Sequence, residues 1–339
     1  MKFSVWPNPM SAALDVIETA RWADAAGWYG VWFADHYMPN TADGSPTGGD
    51  TLECWSMLPA IAMATSRVRI GPLVAPTSVH HPALLASRAA TIDQLSGGRF
   101  VLGLGAGWQV NEHQAYGIAL EDPRARVDRF SEALRIVRSL LDNDRTTFAG
   151  SVYSLADAPC EPKPVQAHLP LLVGTGSPRM LRLTAQHADE WNTWGDPSLV
   201  SERRTAFLRA CDAVDRDPAS VHLSVQALVT LGEAATDNRT IGGSPDELLE
   251  VLGAYADLGV DEVIVPDWNL GSSLSERLDN LARIKADVLD RFAKLQGQMQ
   301  PQGVVELAQQ VTGDRSQAAL HPRHVDRPDL LSLGLGVDR

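Results

Sequence analysis

Cysteine is scarce. Three occur in 339 residues, Cys54, Cys160 and Cys211, and no two stand at the spacing of a redox pair or a zinc half-site. A small, odd number of thiols fits a reducing compartment. Positive charge is also short: 29 Lys and Arg face 42 Asp and Glu, for a formal charge of −13. A surface of that sign repels phosphate backbones, which excludes a general nucleic-acid binder but leaves room for one local basic pocket. No run of eighteen apolar residues occurs, so no membrane span is expected. The start, MKFSVWPNPM, breaks its apolar run with two prolines and does not read as a secretory signal. A cytoplasmic location is the expectation. H-E-x-x-H, P-loop, G-x-S-x-G and C-x-x-C are all missing, which removes most support for a hydrolase.

What is present is a rhythm. Hydrophobic residues make up 44% of the chain, enough for a large core. Eight apolar runs, at 2–6, 29–34, 68–74, 99–105, 169–174, 189–194, 221–230 and 261–266, read as strands buried on both faces. Helical patterns separate them. Residues 11–26 end at Gly27; residues 82–95 open at Pro82 and stop at Gly97–Gly98. Residues 126–141 set Val127, Phe130, Leu134, Val137 and Leu141 on one stripe. Residues 244–258 open with Ser-Pro-Asp-Glu, and 274–295 form the last long helix. Strict alternation predicts a parallel sheet with right-handed crossovers, and eight is the number that closes into a barrel. A doubly wound open sheet remains the alternative.

Three stretches break the pattern. Residues 37–52, rich in Gly, Pro, Thr and Asp, follow the second strand, and residues 106–123 follow the fourth. Residues 143–168 follow the fourth helix, with a strand-like piece at 146–155 and the segment CEPKPVQ. In a barrel, loops after strands build the active face. The domain reading is a barrel over 1–295 and an extension over 296–339 that is either flexible or packs on a partner.

Candidate chemistry sits at the strand ends. Asp35 and His36 close the second strand, and His suits proton transfer near neutrality. Ala75, Pro76, Thr77, Ser78, Val79, His80 and His81 crowd the turn after the third; the His pair lacks a third nearby ligand, so no metal site is expected. Gly103, Gly105 and Gly107 end the fourth strand as G-x-G-x-G, which differs from the dinucleotide fingerprint but permits close backbone approach. Gly174, Thr175, Gly176 and Ser177 precede a helix opening at Pro178, an arrangement that suits phosphate, with Arg179 or Arg182 available for charge. Trp191 and Trp194 either wall a ring system or fill the core.

Six segments together resemble the luciferase-like flavin and F420 oxidoreductases. They are GVWFADH (30–36), HPALLASRAATIDQLSGGRFVLGLGAGW (81–108), the Asn-Glu-His-x-Ala-Tyr-Gly stretch (111–117), RVDRFSEALRIVRSLL (126–141), EPKPVQ (161–166) and LLVGTGSPRMLRLTAQHADEWNTW (171–194). They run in family order over roughly residues 1–290 and are most similar to the actinobacterial F420-dependent branch. The resemblance implies an α/β fold, a single (β/α)8 TIM barrel of the bacterial-luciferase-like type, usually a homodimer. It places a deazaflavin or flavin ring at the strands' carboxyl ends. Asp35 and His36 then match residues near the reactive ring edge, with His36 as proton partner. A bulged third-strand end, often with a non-proline cis peptide, falls near 73–75, so Val74 and Ala75 back the ring with Thr77 close by. Gly105, Ala106, Gly107 and Asn111 match the wall on the fourth-strand side. Gly174, Thr175, Gly176 and Ser177 match the loop that receives the phosphate-bearing tail.

The activity implied is hydride transfer between coenzyme F420 and a small organic substrate. The alternatives are a two-component FMN monooxygenase served by a separate reductase, and a non-catalytic flavin-binding protein. Two departures stand out. Sugar dehydrogenases of the F420 branch place Glu after the fourth-strand glycines, where this chain has Trp108, which argues for a more apolar substrate. Ala75-Pro76 stands where relatives often carry Thr or Ser.

Overall fold

The computed structural model describes residues 1–299. Eight parallel strands form its centre: β1 (Lys2–Trp6), β2 (Gly30–Phe33), β3 (Arg69–Pro72), β4 (Leu102–Gly105), β5 (Leu171–Gly174), β6 (Glu190–Trp194), β7 (His222–Gln226) and β8 (Glu262–Pro266). Their order is β3-β2-β1-β8-β7-β6-β5-β4. The remaining gap, between β3 and β4, is bridged at Ile70↔Phe100 and by the short strand Ala75–Pro76, which pairs with Leu104 and Gly105. The ring closes, and the open-sheet alternative is set aside.

Closure explains why the strands read as continuous apolar runs. One face of each strand meets the lumen, where Trp6, Trp32, Ala34, Leu73, Val101, Leu172 and Ile264 pack together. The other face meets helices, through residues such as Ile70, Phe130, Trp191 and Tyr255. Each large side chain so buried contributes about 1.5–3 kcal/mol.

The helix signals act as read. Gly27 (φ 78°) and Gly97 (φ 66°) end helices Ala13–Ala26 and Pro82–Ser96 in the left-handed conformation that glycine adopts without penalty. Ser244 and Glu247 form a capping box on helix Pro245–Asp257, and Ser273 and Glu276 another on Leu274–Ile284. Asp122 caps Pro123–Asp142, which begins three residues before the stripe suggested.

Several elements differ from expectation. The run 221–230 is two strands: β7 ends at Gln226, and Leu228–Leu231 leaves the barrel to pair with Thr240–Gly243. The run 68–74 stops at Pro72, where the chain bulges. The piece at 146–155 is a hairpin of Thr146–Ala149 and Ser154–Ala158. Helices Cys54–Ala64, Val110–Ala115 and Pro197–Asp212 were not foreseen. The 161–166 segment is a brace outside the barrel, where the Gln166 side chain and backbone both donate to Asp93.

The amino ends of the strands are plugged by charge. Arg69 pairs with Glu190 and lies 3.8 Å from Glu262. His222 Nε2 is 3.0 Å from Glu262, which also accepts from the Trp32 indole at 2.8 Å. Burial opposes the His222 charge, but the bond to Glu262 and the nearness of Glu190 hold its imidazole above the ordinary value. Glu190, His222 and Glu262 offer ligand atoms within 4.8 Å of one another, and the Arg69 guanidinium already sits among them. Residues 1–294 form one compact unit. Of the expected extension, residues 300–339 lie outside the described ones. Among the described residues no helix is long and apolar enough to cross a membrane.

Candidate active site

All eight carboxyl ends of the barrel strands open on one cavity of about 740 Å³, within the size range of small-molecule and cofactor sites. His36 follows β2 and lines it. Its Nδ1 lies 3.0 Å from Glu112 Oε1, and the other Glu112 oxygen accepts from the Tyr37 backbone N–H at 2.9 Å. Glu112 is buried, whereas the His36 side chain keeps 27% of its surface exposed. With Nδ1 engaged by the carboxylate, Nε2 is left for the cavity. The Trp108 ring stands edge-on to the imidazole at 5.4 Å and is itself exposed.

Glu112 reaches this position because the second insertion folds into the short helix Val110–Ala115. Its polar side chains serve as fasteners. Gln109 donates to the Met38 carbonyl and Asn111 to the Pro39 carbonyl. His113 bridges the Gln109 carbonyl and Ser78 Oγ. The first insertion, irregular from Tyr37 to Glu53, is thereby tied to the second.

One wall is made by Val74. The peptide between Leu73 and Val74 is cis, as the resemblance implies for this strand end. The Val74 side chain fills space where three glycines on two strands, β4 and β5, would otherwise carry a Cβ. A Cβ on Gly105 would lie 2.8 Å from Val74, on Gly174 3.0 Å, and on Gly103 3.2 Å. These glycines accommodate a neighbouring side chain rather than giving a ligand access to bare backbone. Gly107, at φ 89°, makes room for Ser78.

The facing wall is indole. Trp6 at the end of β1, Trp194 at the end of β6 and Trp268 after β8 pack at centroid distances of 4.9, 5.8 and 6.4 Å. Trp191, by contrast, is fully buried and stacked on Phe207 among the helices.

Four side chains lining the cavity carry full charge, Glu112, Arg126, Arg203 and Arg239. None of the arginines has a carboxylate within ion-pair distance among the described residues. Arg126 donates to the Gly107 carbonyl. Arg203 donates to Thr193 Oγ1 and the Trp194 carbonyl, and its guanidinium fills the space a Cβ on Gly176 would need. Burial, and then the nearby Arg239, lower the Arg203 pKa. Arg239 lies over the Trp194 ring. Arg179, one of the two cations anticipated beside residues 174–177, instead pairs with Asp128 at the surface, and Arg182 does not line the cavity.

The structure gathers His36, Val74, Gly105, Ala106, Gly107, Gly174, Thr175, Gly176 and Ser177 around the cavity, and leaves Asp35, Ala75, Thr77 and Asn111 outside its lining. Asp35 is fully buried, accepts from the Trp55 indole at 2.9 Å and lies 2.8 Å from His80 Nε2. It anchors the strand end from which His36 projects. Ala75 is buried in pairing with Leu104. Thr77 donates its N–H to Gly105, and its buried hydroxyl has no partner. Asn111 is a fastener. His81 caps its helix, so the two neighbouring histidines serve separate structures. Glu112, Arg126, Arg203 and Arg239 escaped sequence reasoning. Glu112 and Arg126 lay inside quoted motifs, and Arg203 and Arg239 carried no local signal.

The family model for luciferase-like monooxygenases matches residues 1–240. An F420-dependent glucose-6-phosphate dehydrogenase of Amycolatopsis mediterranei is 32% identical over 176 residues, 52% of this chain and 51% of that protein. The chain spans about half the length of the first two curated relatives it matches. A protein of the same description from Microbacterium testaceum is 34% identical over 292 residues, covering 72% of this chain and 84% of its own. Among solved structures, an F420-dependent secondary alcohol dehydrogenase in complex with an F420-acetone adduct shares the fold, with TM-score 0.73 at 19% identity. The match covers 85% of this chain and 99% of that one.

Proposed function

This chain belongs to the luciferase-like monooxygenase family, and from that premise we propose that it is an F420-dependent oxidoreductase acting on a small organic molecule. The relatives described as F420-dependent support the cofactor, and the cavity supports the chemistry. The observation that carries the reading is the His36–Glu112 pair at the edge of a cavity whose other charged lining groups are arginines.

The residues present fit an anionic ring cofactor. Arg203 and residues 174–177 would hold the phosphate-bearing tail, through a desolvated guanidinium and a helix start whose N–H groups are not all used internally. Val74, packed into its glycine nest, would support the ring. When bound, a deazaflavin would supply or accept a hydride equivalent. His36 would hold or take the accompanying proton at Nε2, and Glu112 fixes its ring through Nδ1. Trp108 and the tied insertions keep water from the reacting groups.

Titration of the purified protein with F420 and with FMN, each followed by fluorescence, tests this. Tight binding of F420 in preference to FMN is expected. Preference for FMN, with oxygen consumed on adding reduced flavin, would instead make it a two-component monooxygenase. Binding of F420 with no turnover of any acceptor would favour a carrier. A homodimer is part of the same proposal, and Met63, Leu84 and Leu95 are exposed apolar residues on two neighbouring helices. Light scattering at twice the monomer mass is the expected result.

A further inference from the structure

The half of the cavity away from Val74 contains more recognition chemistry than packing requires. Strand order sets β3, β4 and β5, with Val74 and its glycines, on one side of the lumen. The indoles of Trp6, Trp194 and Trp268 come from the ends of β1 and β6 and from just after β8, and form an aromatic wall of the cavity with ring planes tilted 44–76° to one another. Two polar groups in this face lack partners. Trp6 Nε1 is a buried donor and Gln226 Oε1 a buried acceptor, and neither has a hydrogen bond. Each such orphan is unfavourable until satisfied, and native proteins keep few of them. Both residues line the same cavity, and Gln226 is in register with Trp194.

The third observation is charge. Arg239 lies over the Trp194 ring at 5.8 Å, exposed at the mouth of the cavity, with no carboxylate in ion-pair reach among the described residues. Glu112, the only acidic group lining the cavity among the described residues, is already committed to His36 and Tyr37. An aromatic face with one donor, one acceptor and a stacked guanidinium at its rim fits a flat molecule that ends in an anion. A flat π-system gains more from indole than an aliphatic ring does, and a neutral substrate leaves Arg239 unmatched.

We propose that the substrate is a planar ring acid, an aromatic or conjugated compound bearing a carboxylate. Its ring lies against Trp6, Trp194 and Trp268, and its carboxylate pairs with Arg239. This deepens the reading given under Proposed function and rests on it, because the cofactor is taken to occupy the Val74 side and Arg203.

Calorimetric titration of the F420-saturated protein with 2-naphthoate, 2-naphthalenemethanol and cyclohexanecarboxylate tests it. The aromatic acid should bind at least about tenfold more tightly than either the neutral aromatic or the aliphatic acid. Arg239→Gln should erase the preference for the acid over the alcohol and change F420 affinity far less than Arg203→Gln does. Trp268→Leu should erase the preference for the aromatic acid over the aliphatic one. Equal binding of the three probes overturns the proposal, and so does an Arg239→Gln variant that loses F420 affinity while keeping the acid preference. Failure of the underlying reading is separate, since it appears as no F420 binding in the first titration. In that event the same three probes applied to the free protein still decide whether the aromatic face selects ring acids.

Discussion

Glu112 and His36 stand 76 positions apart in the chain, yet a carboxylate oxygen of one lies 3.0 Å from Nδ1 of the other. Among the described residues nothing else in the cavity lining offers His36 a carboxylate. Removing the imidazole with His36→Ala should lower kcat by roughly 10²–10⁴-fold. Glu112→Gln, which keeps a hydrogen bond but loses the charge, should give a smaller loss of kcat with little change in F420 dissociation constant. Equal losses in cofactor affinity would assign the pair to binding instead.

Arg203 should govern cofactor affinity. Arg203→Gln is expected to raise the F420 dissociation constant roughly 10- to 100-fold, the value of a charge-assisted bond in a partly buried site. The salt dependence of binding should also flatten, because one cation no longer takes part. Fluorescence titration at several ionic strengths measures both effects.

Val74 and its glycines should behave as one object. Gly105→Ala places a methyl group 2.8 Å from the Val74 side chain and should destabilise by roughly 1–3 kcal/mol. Combining it with Val74→Ala should recover much of that loss. Chemical denaturation of the two single variants and the double variant gives the coupling directly. Additive losses would mean that the space at Gly105 is set by something other than Val74.

Asp267 is buried between the Asn8 backbone N–H, 2.7 Å away, and Arg277. Burial, only partly offset by Arg277, pushes its carboxyl up to about 6 from an ordinary 3.8. A raised carboxyl favours the protonated folded form, so its contribution to stability is complete below about pH 4. That contribution is lost as the pH rises through about 6, at a cost of roughly 3 kcal/mol by neutrality. Carboxyl carbon resonances followed by NMR should give a midpoint near 6 for Asp267, and a midpoint near 4 would contradict this.

The charged plug at the amino ends should be costly to break. Arg69→Met leaves Glu190 and Glu262 buried with only His222 for compensation and should destabilise by roughly 3–5 kcal/mol. The raised His222 value means that its stabilising charge is full below about pH 6.5 and fades as the pH rises through that raised value. The variant should therefore be further from the parent at pH 8.5 than at pH 6, as judged by urea midpoints.

Much of this architecture was legible because the barrel strands are buried on both faces and most helices carry explicit end signals. Helix Cys54–Ala64 was missed for a physical reason: CWSMLPAIAMA is apolar all round, with Pro59 inside it, so no stripe of period 3.6 appears. Helix Pro197–Asp212 did carry a signal, Asp196 capping it and Pro197 in its first turn. The 221–230 run gave no sign of the exit at Ala227, since both of its strands are β-rich. At the site, His36, Val74 and the glycines were readable as strand ends. Asp35 faces the other way, because adjacent residues at a strand end alternate, and of the two only His36 lines the cavity. Glu112, Arg203 and Arg239 depend on tertiary approach, for which local sequence holds no pattern.

The fastening of the two insertions to each other has a practical consequence for exchanging parts. Tyr37, Met38 and Pro39 are held by Glu112, Gln109 and Asn111 through four separate bonds when the Tyr116 hydroxyl is counted. A loop from a relative, transplanted at 37–53 alone, would arrive without its counterparts and leave buried amides and a carboxylate unmatched beside His36. The smallest transferable module of this active face is therefore a pair of segments, 37–53 with 106–122. A library meant to redirect the substrate should draw both from the same parent.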